Sequence, residues 1–485
     1  MIRLSRLQTK SVLSQLTRRI KLPSQNPDRL SLSTKIAYGM GEFGGAIPGC
    51  MQVFFLLFFL TNIAGLDPGL AGSVLLLGKG WDAISDPMIG WLSDRTQSRW
   101  GRRYPWMLCG SIPLGICFFL HWIVPSIGDR WLLFGYYGAI TILFYTAYTA
   151  VFLPLGALAA ELTADYDERT SLVSFQSAFK IGGSLFALLL AQILFSFVSS
   201  PHWRYPLLGG LGATMTTVAI WVCIWGTRKR YFDREAKRLE IRRPPSLPFL
   251  QQIGIAFSNR PFLYAIGIYL CSWLGVQVTV AILPYFIIDY MQLSDRHLTQ
   301  MALLVQGISL LGMVFWSAIA RRVDKKTVYC LGIPMTMAAG VGLFLLQPGQ
   351  IAPMYGLGAI AGFGIATAHL VPWSILPDVV DLDELNTGQR REGIFYSFMV
   401  MLQKLGIALS LFIVGQVLSY AGLISRTAED LPVSQPESVF WAIRLMVGPI
   451  PIFILSMGVI LAYFYPITRE VHAEIRLQLQ RRHSD

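Results

Sequence analysis

YPLLGGLGATMTTVAIWVCIWGT (205–227) runs directly into RKRYFDREAKR (228–238). The first segment is 23 residues without a charge, long enough to cross a bilayer core of roughly 30 Å. The second places six bases and two acids in eleven positions. Bases crowd the cytosolic flank of a spanning segment, so this junction reads as a helix leaving the membrane on its inner side. Similar apolar runs lie on both sides of it. The pattern predicts twelve spans, at about 36–62, 69–93, 104–125, 131–160, 171–198, 205–227, 261–290, 297–319, 328–346, 351–377, 393–420 and 440–464. Six precede the basic stretch and six follow. The expected organisation is a basic tail (1–34), a six-helix half (35–227), a basic linker (228–260), a second six-helix half (261–465) and a short tail (466–485).

With both termini on the inner side, 32 of the 40 Lys and Arg fall in cytosolic segments. The opposite loops hold Arg130, Arg204, Arg296 and Arg426. That asymmetry orients the chain. Composition agrees: 54% of residues are apolar and 14% charged, against about 25% charged in soluble domains. The net charge of +12 is spread between apolar segments, which points to membrane topology rather than nucleic acid. The six cysteines form no CxxC pair and sit in or beside apolar runs, as small packing residues do. Residues 1–34 are basic and nearly free of acids. They read as a cytosolic tail near anionic lipid, with an organelle transit peptide as the alternative.

Charges inside spans mark candidate sites, because each costs several kcal/mol at mid-bilayer. Span two carries Lys79, Asp82, Ser85 and Asp86. Asp82 and Asp86 are four apart and share a helix face. Two carboxylates there are tolerable only with a positive partner, and oxygen ligands suit a hard cation. Lys79 is placed to neutralise one acid when no ion is bound; a purely structural ion-pair set is the competing reading. Lys180 in span five and Lys404 in span eleven, beside Gln403, are candidate cavity charges. Span ten carries His369 and Trp373 on one face, with Pro372 between them expected to interrupt the helix. Glu42 lies among Gly39, Gly41, Gly44, Gly45 and Gly49, which permit close packing. Arg444 is expected to snorkel at the outer end of span twelve. The sequence carries no nucleophile–base set, phosphate loop or metal-hydrolase motif, so enzyme activity is not indicated.

Gly90-Trp91-Leu92-Ser93-Asp94-Arg95, continuing to Gly101-Arg102-Arg103, resembles the loop between spans two and three of the major facilitator superfamily. Trp81-Asp82-Ala83-Ile84-Ser85-Asp86-Pro87, Glu161-Leu162-Thr163 with Glu168-Arg169, and Pro377-Asp378-Val379-Val380-Asp381 are similar to the glycoside–pentoside–hexuronide:cation symporters. The resemblance implies an all-α fold of two six-helix halves. It implies a sodium, lithium or proton site at Asp82, Ser85, Asp86 and Thr149, with Lys404 linking cation to substrate. It also implies a sugar or glycoside as cargo. The sugar-binding carboxylates of the melibiose-carrier branch, however, fall on Ala46 and Phe152, and its span-ten tryptophan on His369. Leu370-Val371-Pro372-Trp373-Ser374-Ile375-Leu376-Pro377-Asp378 resembles a second branch, the sodium-dependent lysophosphatidylcholine symporters. Its apolar cavity makes an amphiphile the alternative cargo. A non-transporting membrane sensor is a third reading.

These readings predict cation-coupled symport by alternating access, in a monomer of the plasma (inner) membrane with no cofactor beyond the coupling cation. Asp94, Arg95, Arg102, Glu161 and Arg169 are expected to form a cytosolic charge latch that breaks when the carrier opens inward. Lys79, Lys180, His369, Trp373, Gln403 and Lys404 are the expected coupling and cavity residues.

Overall fold

A computed structural model describes residues 29–163, 165–198, 200–235, 254–255, 257–389, 391–427 and 434–484. Residues 1–28 of the basic tail and 236–253 of the linker lie outside the described residues.

The described chain is helical. Its helices are α1 (Leu32–Asn62), α2 (Pro68–Arg95), α3 (Tyr104–Leu120), α4 (Arg130–Leu162), α5 (Tyr166–Phe197) and α6 (Pro201–Glu235). They continue as α7 (Arg260–Tyr290), α8 (Asp295–Ala320), α9 (Lys325–Leu345), α10 (Ile351–Thr387), α11 (Glu392–Tyr420) and α12 (Glu437–Tyr463). A last helix, α13 (Arg469–Ser484), follows. Ten of the first twelve are long and apolar enough to cross a membrane. The other two are α2, interrupted by its own charges, and α3, which has 17 residues.

Local signals set the boundaries. The Asp67 carboxylate accepts from the Gly69 N–H at 3.0 Å with Pro68 at the first helical position, and so starts α2. Asp129 accepts from the N–H groups of Trp131 and Leu132 to start α4, and Asn259 caps α7 in the same way. Gly388, at φ 71°, ends α10 in the left-handed conformation.

Two expectations are corrected. Pro372 does not interrupt α10: the helix runs unbroken through Pro372 and Pro377 for 37 residues. A proline removes one backbone hydrogen bond, and packing on neighbouring helices can hold the helix together around it. The break falls instead in α12, at Gly448, whose absent Cβ would lie 2.7 Å from the Gly340 carbonyl of α9. Arg444 does not merely snorkel. Its guanidinium donates to the Phe344 carbonyl at 2.8 and 3.0 Å, closing the end of α9 beneath the rings of Tyr290, Phe344 and Trp441.

The packing repeats with a period of six helices. Within the first half α1 packs on α5 and α6, α2 on α4, and α3 on α4 and α6. Within the second, α7 packs on α11 and α12, α8 on α10, and α9 on α10 and α12. The halves meet through α2 against α11 and α5 against α8, pairs that exchange under the same shift. Both α1 and α7 contain a π-helical turn, at Gln52–Leu56 and Phe286–Tyr290.

The start of α1 and the whole of α13 lie at one end of the bundle, here the terminal end. There α13 docks under the second half: Ile475 and Leu479 are buried, and His472 Nε2 lies 3.0 Å from Asp381 and 3.4 Å from Asp378.

Candidate functional site

The site is built where α2 meets α11. On α2, Asp82 and Ser85 are buried and Gly78 lets the helix lie against Thr141 and Tyr145 of α4. Asp86, one turn on, keeps 27% of its side chain exposed. From α4, the Thr149 hydroxyl sits 2.9 Å from Asp82 Oδ1 and 3.1 Å from Asp86 Oδ1. Ser85 Oγ lies 3.3 Å from the Thr149 oxygen and donates to the Asp82 carbonyl. From α11, the Lys404 ammonium stands 2.5 Å from Asp86 Oδ2 and 3.1 Å from Asp82 Oδ2. The four residues that the resemblance implied for the cation site, Asp82, Ser85, Asp86 and Thr149, therefore converge, and Lys404 joins them from the other half of the molecule.

Lys79 stands beside the acid it was expected to neutralise. Its ammonium is 3.9 Å from Asp82 Oδ2 and lies 4.4 Å from the centre of the Tyr145 ring. The cation placed between the two carboxylates is Lys404. Tyr145 is itself fixed by donating to Gln52 Oε1 at 3.0 Å, inside the π-helical turn of α1.

The other cavity candidates lie apart from the carboxylates. His369 and Trp373 belong to an aromatic group on the second half: His369 is 5.3 Å from Trp273, and Trp373 is 5.8 Å from Tyr269 and 6.3 Å from Tyr396, centre to centre. Gly406 of α11 would place a Cβ 3.2 Å from the Trp273 ring, so this group adjoins the turn that carries Lys404. Gln403 is half-buried. Lys180 is exposed and makes no ion pair or hydrogen bond among the described residues. It shares the side of α5 with Ser184, four residues on, which donates to Gln306 of α8 at 3.0 Å. On the first half, Phe152 stacks 4.3 Å from Tyr148 and presses on Gly45, and Glu42 accepts from Gln176 at 2.7 Å. Trp273, Tyr148 and Tyr145 escaped the sequence reading. Their signal is aromatic residues three or four positions apart, Tyr145, Tyr148 and Phe152 on α4 and Tyr269 and Trp273 on α7, which core packing also produces.

The latch candidates only partly assemble. The Arg102 guanidinium donates to Glu161 at 2.5 Å, and Arg103, which was not expected, bridges Glu161 at 3.2 Å and Asp94 at 2.5 Å. Burial works against the Arg102 charge, but Glu161 overrides it and raises the arginine's pKa. Arg95 stands over Trp91, 4.1 Å from the ring centre, and Arg169 is exposed outside this network. The network lies within the first half and is intact.

At the far end the halves are tied to each other. Asn62 donates across to Asp289 at 3.2 Å, a carboxylate that Arg426 of the same half also holds at 2.9 Å, and Arg204 pairs across with Asp295. Thr61 and Tyr285 share a hydrogen bond of 2.7 Å, Gln192 accepts from Thr299, and Ala64 forms an antiparallel bridge with Thr427. Asp289 is a buried acid inside a span, so the rule that selected Asp82 applies to it equally.

Comparison with known proteins agrees with this architecture. Residues 37–469 match the family model for MFS/sugar transport proteins. An uncharacterized symporter of Synechocystis is 45% identical, covering 95% of this chain and 98% of its own length. The sodium-dependent lysophosphatidylcholine symporter 1-B of Danio rerio is 27% identical, covering 92% and 89%. Among solved structures, the nucleoside transporter NupG superposes with a TM-score of 0.61 over 90% of this chain and 98% of its own, at 10% identity, which shows the shared fold. The chain belongs to the MFS/sugar transport protein family and is an integral membrane transporter of the symporter type, built on the major facilitator fold.

Proposed function

We propose that the chain couples a cation, held by Asp82 and Asp86, to the movement of an amphiphile with an anionic or zwitterionic headgroup. The observation that carries the coupling is the Lys404 ammonium seated between the two carboxylates, at 2.5 and 3.1 Å, from the opposite half. Lys404 there occupies the place a free cation would take. Asp82, Asp86, Ser85 and Thr149 offer a donor set made of oxygen alone, the chemistry of a hard cation. A sodium ion entering among them releases Lys404 and cuts the bond between α2 and α11.

Charge balance then suggests the cargo. Asp82, Asp86, Lys79 and Lys404 sum to zero without an ion. One bound cation leaves a net positive charge on Lys404, which a cargo phosphate or carboxylate neutralises; Lys180 adds a second positive group on the α8-facing side of α5. The walls favour an apolar remainder: Phe152 fills the space beside Gly45, and Trp273, His369 and Trp373 line the other half. The 27% identical relatives named as lysophosphatidylcholine symporters support this reading over the sugar implied by the family name. The charge distribution supports a cytosolic terminal end, and the ties across the far end then make the arrangement described here closed toward the outside.

The test is uptake into proteoliposomes of labelled lysophosphatidylcholine and, separately, a labelled glycoside, with and without a sodium gradient. Sodium-dependent uptake of the lysolipid alone is expected. Uptake of the glycoside alone returns the assignment to a sugar, and exchange of neither under any cation favours a sensor. Asp82→Asn or Asp86→Asn proteins that retain full cation dependence refute the cation site.

A further inference from the structure

The outer wall of the first half carries a second, separate cluster of charge. The loop between α2 and α3 is rigid: Ser98 Oγ donates to the Gly101 carbonyl at 2.7 Å and accepts from the Trp100 N–H at 3.1 Å. Gly101 has φ 77°, and a Cβ there would lie 2.5 Å from the Tyr231 ring, so the loop presses directly on α6. This contact delivers Trp100 to Trp225, 6.1 Å away and edge-on. The Arg228 guanidinium lies 4.2 Å from the centre of the Trp100 ring and 5.6 Å from those of Trp225 and Phe232.

A guanidinium held over ring faces keeps its N–H donors in its own plane. Among the described residues no carboxylate or carbonyl accepts from Arg228, although it is half-buried. Among the described residues its neighbours Arg99 and Lys229 make no ion pair either. The nearby acids Asp94 and Glu161 are committed to Arg102 and Arg103, and Asp233, on the same stretch of α6, is exposed and has no ion pair among the described residues. Above this group the outward face of α6 is apolar: Trp225, Trp221, Val222 and Val218 are exposed in sequence along the helix.

We propose that Trp100, Trp225 and Arg228, with Arg99 and Lys229, form a binding site for an anionic phospholipid of the leaflet at the terminal end. The phosphate takes the free donors of Arg228, and an acyl chain follows the exposed face of α6. Charge complementarity selects this occupant: three cations with no acidic partner among the described residues sit where an apolar helix face meets a basic loop. The site lies on the loop between α2 and α3 and on α6, away from the α2–α11 and α5–α8 contacts between the halves, so it stands independently of the cargo assignment.

The experiment uses the full-length protein in phosphatidylcholine vesicles containing increasing fractions of dibrominated phosphatidylglycerol, whose bromines quench indole fluorescence on contact. Quenching is expected to saturate at a fraction about 5-fold lower than with dibrominated phosphatidylcholine, the preference expected for a basic residue at an anionic surface. Trp100→Phe and Trp225→Phe should each remove part of the quenched signal, and Arg228→Gln should abolish the preference. If Arg228→Gln does not yield folded protein, the Arg99→Gln/Lys229→Gln double variant serves, with a reduced preference expected. Equal quenching by the two lipids, or a preference unchanged in the variant that folds, overturns the site. Relief of quenching by soluble glycerol phosphate overturns its assignment to a membrane lipid.

Discussion

The two ends of the bundle are held together in different ways. At the far end the ties cross between halves: Arg204 to Asp295, Asn62 to Asp289, Thr61 to Tyr285, and Gly72 of α2 against Gly415 of α11. At the terminal end, the ion pairs between described residues stay within one half: Lys35 with Glu168 and Arg103 with Glu161 in the first, Lys325 with Asp378 and Arg391 with Asp383 in the second. The far-end bonds therefore belong to one conformation and must break when the bundle rocks. The terminal-end bonds keep each half rigid while it moves. A carrier that alternates needs both kinds.

The difference can be broken from either side. The largest effect is expected from Asp295→Asn, which strips Arg204 of its counter-charge across the halves. The loss is about 3 kcal/mol, the low end for breaking a buried pair, because Asp295 keeps 24% of its side chain exposed. Spin labels on the far-end loops should report a roughly 100-fold shift toward a conformation open there. Next comes Gly415→Leu: a Cβ at this position already meets the Pro68 carbonyl at 2.5 Å. Overpacking of about 2 kcal/mol should spread the same labels and slow transport, with the helical circular dichroism unchanged.

At mid-depth, Thr149→Val removes the hydroxyl that bridges both carboxylates. Cation affinity should fall about 5-fold, the worth of one hydrogen bond of about 1 kcal/mol, as read from cation-dependent thermal stabilisation. The far-end label distances should not move without cation. The smallest effect is expected from Asp94→Asn, whose side chain is 49% exposed in its pair with Arg103. Stability should change by less than about 1 kcal/mol. A large shift in the far-end distances instead would mean that this pair also joins the halves, contrary to the division drawn above.

Much of the architecture was legible because hydrophobic length is set by the membrane. Span positions and the six-plus-six division follow from apolar runs and basic flanks. The helices overrun the predicted spans where no lipid limits them: α10 continues to Thr387 and α6 to Glu235. The internal repeat was almost invisible in sequence. Helix packing within a bilayer needs small residues at close contacts, such as Gly72, Gly415 and Gly448, and leaves the remaining side chains free to diverge between halves. In the candidate site, Asp82 and Asp86 announced themselves by their cost. Nothing in the order of residues says that Lys404, more than 300 positions away, rather than Lys79 three positions away, stands between them. That choice depends on which helix of the other half faces α2. Asp289 was equally expensive and equally visible, and its partner Arg426 lay in a loop where a base raises no alarm.

The closing helix α13 has a practical consequence. Ile475 and Leu479 are buried against the second half, His472 bonds Asp381, and Arg469 donates to the Arg322 carbonyl and caps onto Asp324. A protein fused in helical register after Ser484 would ride on α7–α12 as a stiff handle instead of trailing on a tether. Such a fusion gives an electron microscopist a landmark for particle alignment. It would also turn the tilt of one half against the other into a displacement large enough to follow one molecule at a time.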